Sequence, residues 1–117
     1  MKNALINAIL SQKLKVSKTV KIGSVQCFVR QATIASQKEI EKIDATKQNG
    51  QFKIIASILC DENGDLIFDK DNSKDLSVLE NLSTETIKKI VDDYAIFNGF
   101  RQPETEKEKN PEKEKKQ

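Results

Sequence analysis

The stretch FKIIASIL, residues 52–59, is the most apolar part of the chain and decides the fold. Its apolar side chains fall on nearly all sides of a helical projection, which is typical of a helix enclosed by the rest of a domain. We therefore predict a central buried helix here. The chain has 117 residues, no Trp and a hydrophobic fraction of 37%, which suits one domain with a modest aliphatic core.

Two elements of different kinds precede the central helix. Residues 4–14 predict a short amphipathic helix with Asn3 as a candidate N-cap, because their apolar residues recur at helical spacing. The β-branched runs 19–22 and 25–30 flank Gly23-Ser24 and predict a β-hairpin with a two-residue turn. The helical stripe consists of Leu5, Ile6, Ile9, Leu10 and Leu14.

A surface helix is predicted between the hairpin and the central helix. Ser36 and Glu39 fit a capping box, in which each side chain satisfies a free backbone N–H at a helix start. The helix is expected to run over residues 37–47, with Asn49-Gly50 as its stop.

The second half of the chain predicts a polar turn, a short helix and one long helix. Residues 61–65 form the turn, residues 66–68 are extended, and a short helix or turn follows near residues 76–82. Ser83 is placed to cap the last helix, and Asn98-Gly99 to end it, with Phe100 folding back onto its last turn. The apolar stripe of this helix consists of Ile87, Ile90, Val91, Tyr94 and Phe97.

These elements predict an α+β, mainly α-helical fold. An N-terminal helix and a β-hairpin precede a small helical bundle, and residues 1–100 form the domain. Residues 101–117 hold six basic and five acidic residues and no residue that could enter a core. We expect this C-terminal tail to be disordered.

The residue types argue against an enzyme. The chain has no His, so it lacks the usual general base near neutral pH, and Cys27 and Cys60 lack a partner for nucleophilic catalysis. We interpret both cysteines as reduced core thiols. The turn at residues 61–65 resembles the start of a calcium loop, but Leu66 and Asn72 occupy positions where that loop needs Gly and Glu. No catalytic, cofactor or metal site is predicted.

Charge is unevenly distributed along the chain. Residues 1–30 contain six basic and no acidic residues, whereas residues 61–80 contain seven acidic residues and two lysines. This asymmetry favours self-association or a charged partner, and the alternative is two solvated surfaces. A second function class remains open, a small nucleic-acid-binding regulator with Lys18 and Lys21 as phosphate contacts. No apolar run is long enough for a membrane span, so we expect a cytoplasmic protein.

The order of elements and two local sequences resemble the tail assembly chaperones of long-tailed, siphovirus-type bacteriophages. The local sequences are LCDENGDLIF at residues 59–68, which follows the apolar helix, and Phe97-Asn98-Gly99 at the end of the last helix. The resemblance covers residues 1–100.

The resemblance implies a non-enzymatic protein of the infected host cytoplasm that is absent from the mature virion. Such a protein binds the tape-measure protein, keeps it soluble and helps to recruit the major tail protein. It also implies a longer form made by ribosomal frameshifting, for which Lys115-Lys116 is a candidate site. The stripes Leu5, Ile6, Ile9, Leu10 and Ile87, Ile90, Val91, Tyr94, Phe97 are candidate partner-binding surfaces, although either could instead belong to the core of so small a domain.

Overall fold

A computed structural model describes residues 1–102 and confirms the mixed α+β class. Within this range the chain forms five helices and one three-stranded antiparallel sheet. The predicted disorder of the tail concerns residues 101–117, of which residues 103–117 lie outside the described part of the chain. Arg101 is described and forms an ion pair with Asp92. In chain order the elements are α1 (Lys2–Ser11), β1 (Val16–Ile22), β2 (Val25–Arg30), α2 (Ile34–Glu41), α3 (Gly50–Ile58), β3 (Leu59–Cys60), α4 (Ser73–Leu79) and α5 (Thr84–Phe97).

The predicted hairpin is confirmed and forms most of the sheet. β1 and β2 are antiparallel neighbours, joined at Gly23-Ser24, where Gly23 has a φ of +62°. A positive φ at the first central residue is the backbone demand of a type II′ turn, which Gly meets without strain. β1 begins at Val16, three residues before the predicted start, because its first residues pair with the far end of β2.

A β-bulge in β1 orients the hairpin toward the helices. Lys18 lies opposite Phe28 and Lys21 opposite Gln26, so that two residues of β1 face the single residue Cys27. Both bulged residues turn to the helical side, where Val20 packs against the core and the Thr19 hydroxyl donates a hydrogen bond of 2.8 Å to Asp93.

The predicted central helix is also confirmed. Ile55, Ala56 and Ile58 of α3 are buried, with Ile55 and Ala56 fully enclosed. The prediction was wrong only at the end of the helix, since Leu59 and Cys60 leave it and pair as β3 with Val29 and Phe28 of β2. An apolar run that changes from helix to strand has no polar residue to mark the change.

The prediction for α2 was wrong at both ends. Thr33 is the N-cap: its hydroxyl accepts from the Ser36 N–H, and the Ser36 hydroxyl accepts from the Thr33 N–H, so the capping box lies three residues earlier than expected. The helix ends at Glu41, and Gly50 starts α3 instead of stopping α2. A Cβ atom on Gly50 would lie 2.2 Å from the Asp44 carbonyl oxygen, so close backbone contact explains this glycine.

Each of the last two helices begins directly after a residue whose side chain caps it. Asn72 caps α4, which therefore begins before the predicted region. Ser83 caps α5 as predicted, by accepting from the Thr86 N–H. The end of α5 is a Schellman motif, in which Gly99, with φ +76°, and Phe100 donate to carbonyls of the last turn. Phe100 folds back as expected and meets the Tyr94 ring edge-on, with ring centroids 6.2 Å apart.

Asn98 fastens α5 to the end of the hairpin. Its side-chain oxygen accepts from the Ala32 N–H at 2.8 Å, and its amide nitrogen donates to the carbonyls of Arg30 and Tyr94. One side chain thus satisfies three backbone groups where β2 ends and α5 stops. α5 lies against β1 and β2, and α3 packs against both α5 and α4, so the core lies between the helices and the sheet.

Across residues 1–102, none of the helices combines the length and the apolar character that a bilayer crossing requires.

Candidate partner-binding surface

Helix α1 exposes its apolar stripe. Leu5, Ile6, Ile9 and Leu10 are 55%, 41%, 54% and 80% exposed, and none of the ten residues of the helix is buried. The alternative that this stripe belongs to the core is therefore wrong. Asn3 does not cap the helix, which starts after Met1 without a side-chain capping bond.

A helix of this kind is not stable by itself. Ten residues are fewer than the roughly 12–15 that even favourable isolated helices need in water, and helical stability normally comes from packing of the apolar face. Because α1 buries none of its residues in the described chain and has no side-chain cap, docking of its apolar face would supply the missing stabilisation.

The segment that follows α1 is hydrogen-bonded to the chain at the end of β2. Gln12, just after the helix, is extended. Further on, the Lys15 N–H donates to the Gln31 side chain at 3.1 Å, while the Gln31 N–H donates to the Lys15 carbonyl at 2.8 Å. The segment between these points is short, so α1 is a projecting arm on a fixed base.

The α5 stripe has a different place. Ile87, Ile90 and Tyr94 are buried in the core, and Phe97 packs against it. The Tyr94 hydroxyl also donates to the side-chain oxygen of Gln37. Of the five stripe residues only Val91 is exposed, at 37%. In this conformation the α5 stripe holds the fold together, and α1 is the candidate stripe that is accessible to a partner.

A second exposed apolar site lies in the segment of residues 61–69, called the acidic loop below. Leu66 and Ile67 are 41% and 52% exposed in a sequence that also contains Asp61, Glu62, Asp65 and Asp69. The sequence predicts residues 66–68 to be extended, but it does not identify Leu66 and Ile67 as an exposed surface. The available signal was an apolar pair enclosed by acidic residues.

The resemblance of this loop to a calcium site is explained by a turn. The Asp61 carboxylate accepts from the N–H groups of Asn63 and Asp65, at 2.8 and 3.1 Å. This is the self-capping of an Asx turn. Among residues 1–102 no group of three or more acidic or cysteine side chains is arranged to hold a metal ion.

The two cysteines are buried and free, in the positions of packing residues. Cys60 lies opposite Phe28 in the sheet, and Cys27 therefore points to the other face. Burial raises the pKa of the Cys60 thiol to about 11 and also raises the pKa of Cys27. Both thiols stay protonated near neutral pH, which makes them poor nucleophiles.

The lysines of the hairpin share one face, but acidic residues border it. Lys18 and Lys21 are exposed on the side of the sheet that carries Phe28. The turn of the acidic loop lies beside this strand, since a Cβ on Gly64 would be 3.6 Å from both the Leu14 carbonyl and a methyl of Val16. A surface that follows phosphates needs uninterrupted positive charge, so this face suits nucleic acid poorly.

Compared with known proteins, the chain matches no family model, no curated protein and no solved structure.

Proposed function

We propose that this chain is a non-enzymatic phage tail assembly chaperone that binds the tape-measure protein through α1. The observation that supports the proposal is the exposed stripe Leu5, Ile6, Ile9 and Leu10 on a helix that lacks packing of its own. Exposed apolar patches of this kind commonly mark interaction sites.

The chemistry of the client fits such a surface. A tape-measure protein is very long and mostly helical, with apolar stripes that would aggregate before the tail tube surrounds it. Helix α1 can cover one of these stripes by helix-on-helix packing, in which apolar residues three and four apart interlock. Binding also stabilises α1, which offsets part of the entropy lost on association.

Co-expression with the tape-measure protein, which we expect to be encoded downstream as a long helical polypeptide, tests the proposal. The wild-type chain is expected to keep that polypeptide soluble and to co-purify with it. A Leu5→Asp/Ile9→Asp variant should lose both effects while staying folded, because neither side chain is buried. Val78→Asp is the matched control, since Val78 is 58% exposed on α4. Full client capture by the double variant, or no capture by the wild type, would refute the assignment.

Recruitment of the major tail protein belongs to the same proposal and is assigned to a longer, frameshifted form. Its tether would start from the charged tail, with Lys115-Lys116 at the frameshift site. These residues lie outside the described range. A gene sequence without a slippery run at these two codons would contradict this part of the proposal. The proposed site of action is the cytoplasm of the infected cell, with no copy in the mature virion.

The second candidate function, a small nucleic-acid-binding regulator, draws on the exposure of Lys18 and Lys21. Under it, affinity for duplex DNA would fall steeply with salt and would be lost in a Lys18→Glu/Lys21→Glu variant. The acidic turn beside this face argues against it, and we expect negligible duplex binding even at low salt.

A further inference from the structure

Within residues 1–102, two surfaces of opposite charge form no ion pairs. Lys2, Lys13 and Lys15 flank or begin α1, and Asp61, Glu62, Asp65 and Asp69 lie in the acidic loop. The ion pairs formed between residues 1 and 102 lie elsewhere, on α2, on α5 and at Lys70-Asp71. Both surfaces also expose apolar side chains, the α1 stripe on one and Leu66 with Ile67 on the other.

We propose that the chain forms a two-fold symmetric dimer in which α1 of each copy packs on the acidic loop of the other. The apolar stripe of α1 would cover Leu66 and Ile67, and the lysines around the helix would face the carboxylates around that pair. An apolar centre with a charged rim is the usual composition of a protein interface.

The position of the loop accounts for the two-fold symmetry. Gly64 in the loop lies beside Leu14 and Val16, in the segment that follows α1, so the loop adjoins the base of the helix. A patch that contains both a surface and its complement can pair with an identical patch, which is the condition for a closed, isologous dimer. Each copy then gives and receives one helix.

Neither its own domain nor the tail provides α1 with an apolar partner. Within the domain α1 buries no residue, and the segment after it is fixed to the sheet by the hydrogen bonds between Lys15 and Gln31. Residues 101–117 contain no aliphatic or aromatic side chain to place on the stripe. A second copy supplies both the apolar pair and the opposite charge.

Charge exchange tests the dimer without any client, so its outcome is separate from that of the proposed function. The full chain alone, followed by sedimentation equilibrium, is expected to dimerise, and salt should weaken the dimer. The variants Lys13→Glu/Lys15→Glu and Glu62→Lys/Asp65→Lys should each weaken it about tenfold or more. These side chains make no hydrogen bond or ion pair within residues 1–102.

Mixing the two variants is the decisive step. The acidic arm of one variant faces the basic loop of the other, and the second contact keeps its original charges, so the mixture should regain a one-to-one dimer. Lys38→Glu/Lys47→Glu changes the net charge as much as Lys13→Glu/Lys15→Glu does, at exposed positions outside α1 and the acidic loop, and should dimerise like the wild type. A monomeric wild type, oligomers larger than dimers, or a mixture that stays monomeric would each overturn the proposal.

Discussion

Cys60 shows how one buried side chain ties stability to pH. Its thiol is fully enclosed, and burial raises its pKa from 9.0 to about 11. When the pH lies between these values, the unfolded chain loses the thiol proton and the folded chain keeps it. The unfolded state then binds fewer protons, so the free energy of unfolding falls as the pH rises. Cys27 acts in the same direction.

A Cys60→Val substitution should therefore reduce the alkaline loss of stability. Below pH 9 the contribution of the thiol is fully present, and it is lost as the pH rises toward 11. Urea unfolding of both proteins in reducing buffer across this window measures the difference. The wild type is expected to lose free energy of unfolding more steeply than the variant. Parallel pH profiles would show that Cys60 does not carry the effect.

At the scale of an element, α2 depends on a cap that is displaced from the predicted one. Thr33 and Ser36 bind each other's backbone N–H groups, whereas Glu39 is exposed and pairs with Lys42. Capping residues contribute about 0.5–2 kcal/mol, while an exposed ion pair three residues apart contributes about 0.2–0.5 kcal/mol.

Thr33→Ala should lower the free energy of unfolding by about 1 kcal/mol. Glu39→Ala should change it by roughly 0.5 kcal/mol or less, since only the exposed ion pair with Lys42 is lost. Chemical denaturation of the two variants side by side makes the comparison. If Glu39→Ala lowered the free energy of unfolding more than Thr33→Ala does, the predicted capping box of Ser36 and Glu39 would be supported instead.

Local sequence signals predicted the turns and helix ends that depend on residues close to them in the chain. The Gly23-Ser24 turn, the Ser83 cap and the Gly99 ending were all readable, because each residue meets a backbone demand within a few positions. Long-range features were not readable. Leu59 becomes a strand only because β2 lies beside it, and Gly50 is required by the Asp44 carbonyl.

The candidate site shows the same division. Helical spacing identified both apolar stripes, but it could not tell the covered one from the exposed one. Ile90 is buried and Ile9 is not, because α5 lies across the sheet and α1 extends away from it. Tertiary packing determines which stripe is exposed, so the sequence of either helix alone cannot predict its exposure.

At the scale of the whole molecule, the proposed client and the proposed second copy compete for α1. Both would cover Leu5, Ile6, Ile9 and Leu10, so one copy of the helix serves only one of them at a time. The dimer would keep the apolar stripes covered until a client displaces the second copy. The apparent affinity for the client would therefore be reduced by the free energy of dimerisation.

Titration with a synthetic amphipathic helical peptide should convert dimers into complexes of one chain and one peptide. Native mass spectrometry and sedimentation velocity would distinguish the species. A peptide of the same length whose apolar stripe is replaced by Ser and Gln should leave the dimer intact. A stable complex of two chains with bound peptide would show that the two contacts use different surfaces.

The Asn98 fastening also bears on the chemical lifetime of the protein. An Asn followed by Gly ordinarily deamidates readily, when the glycine nitrogen attacks the side-chain carbonyl and ammonia is released. Here the Gly99 N–H donates to the Ile96 carbonyl, and the Asn98 amide is held by three backbone groups, so the attacking atoms are kept apart. Conversion to Asp would set a carboxylate against the carbonyls of Arg30 and Tyr94. The fold thus slows the deamidation of Asn98, which would break the hydrogen bonds that join α5 to the end of the hairpin.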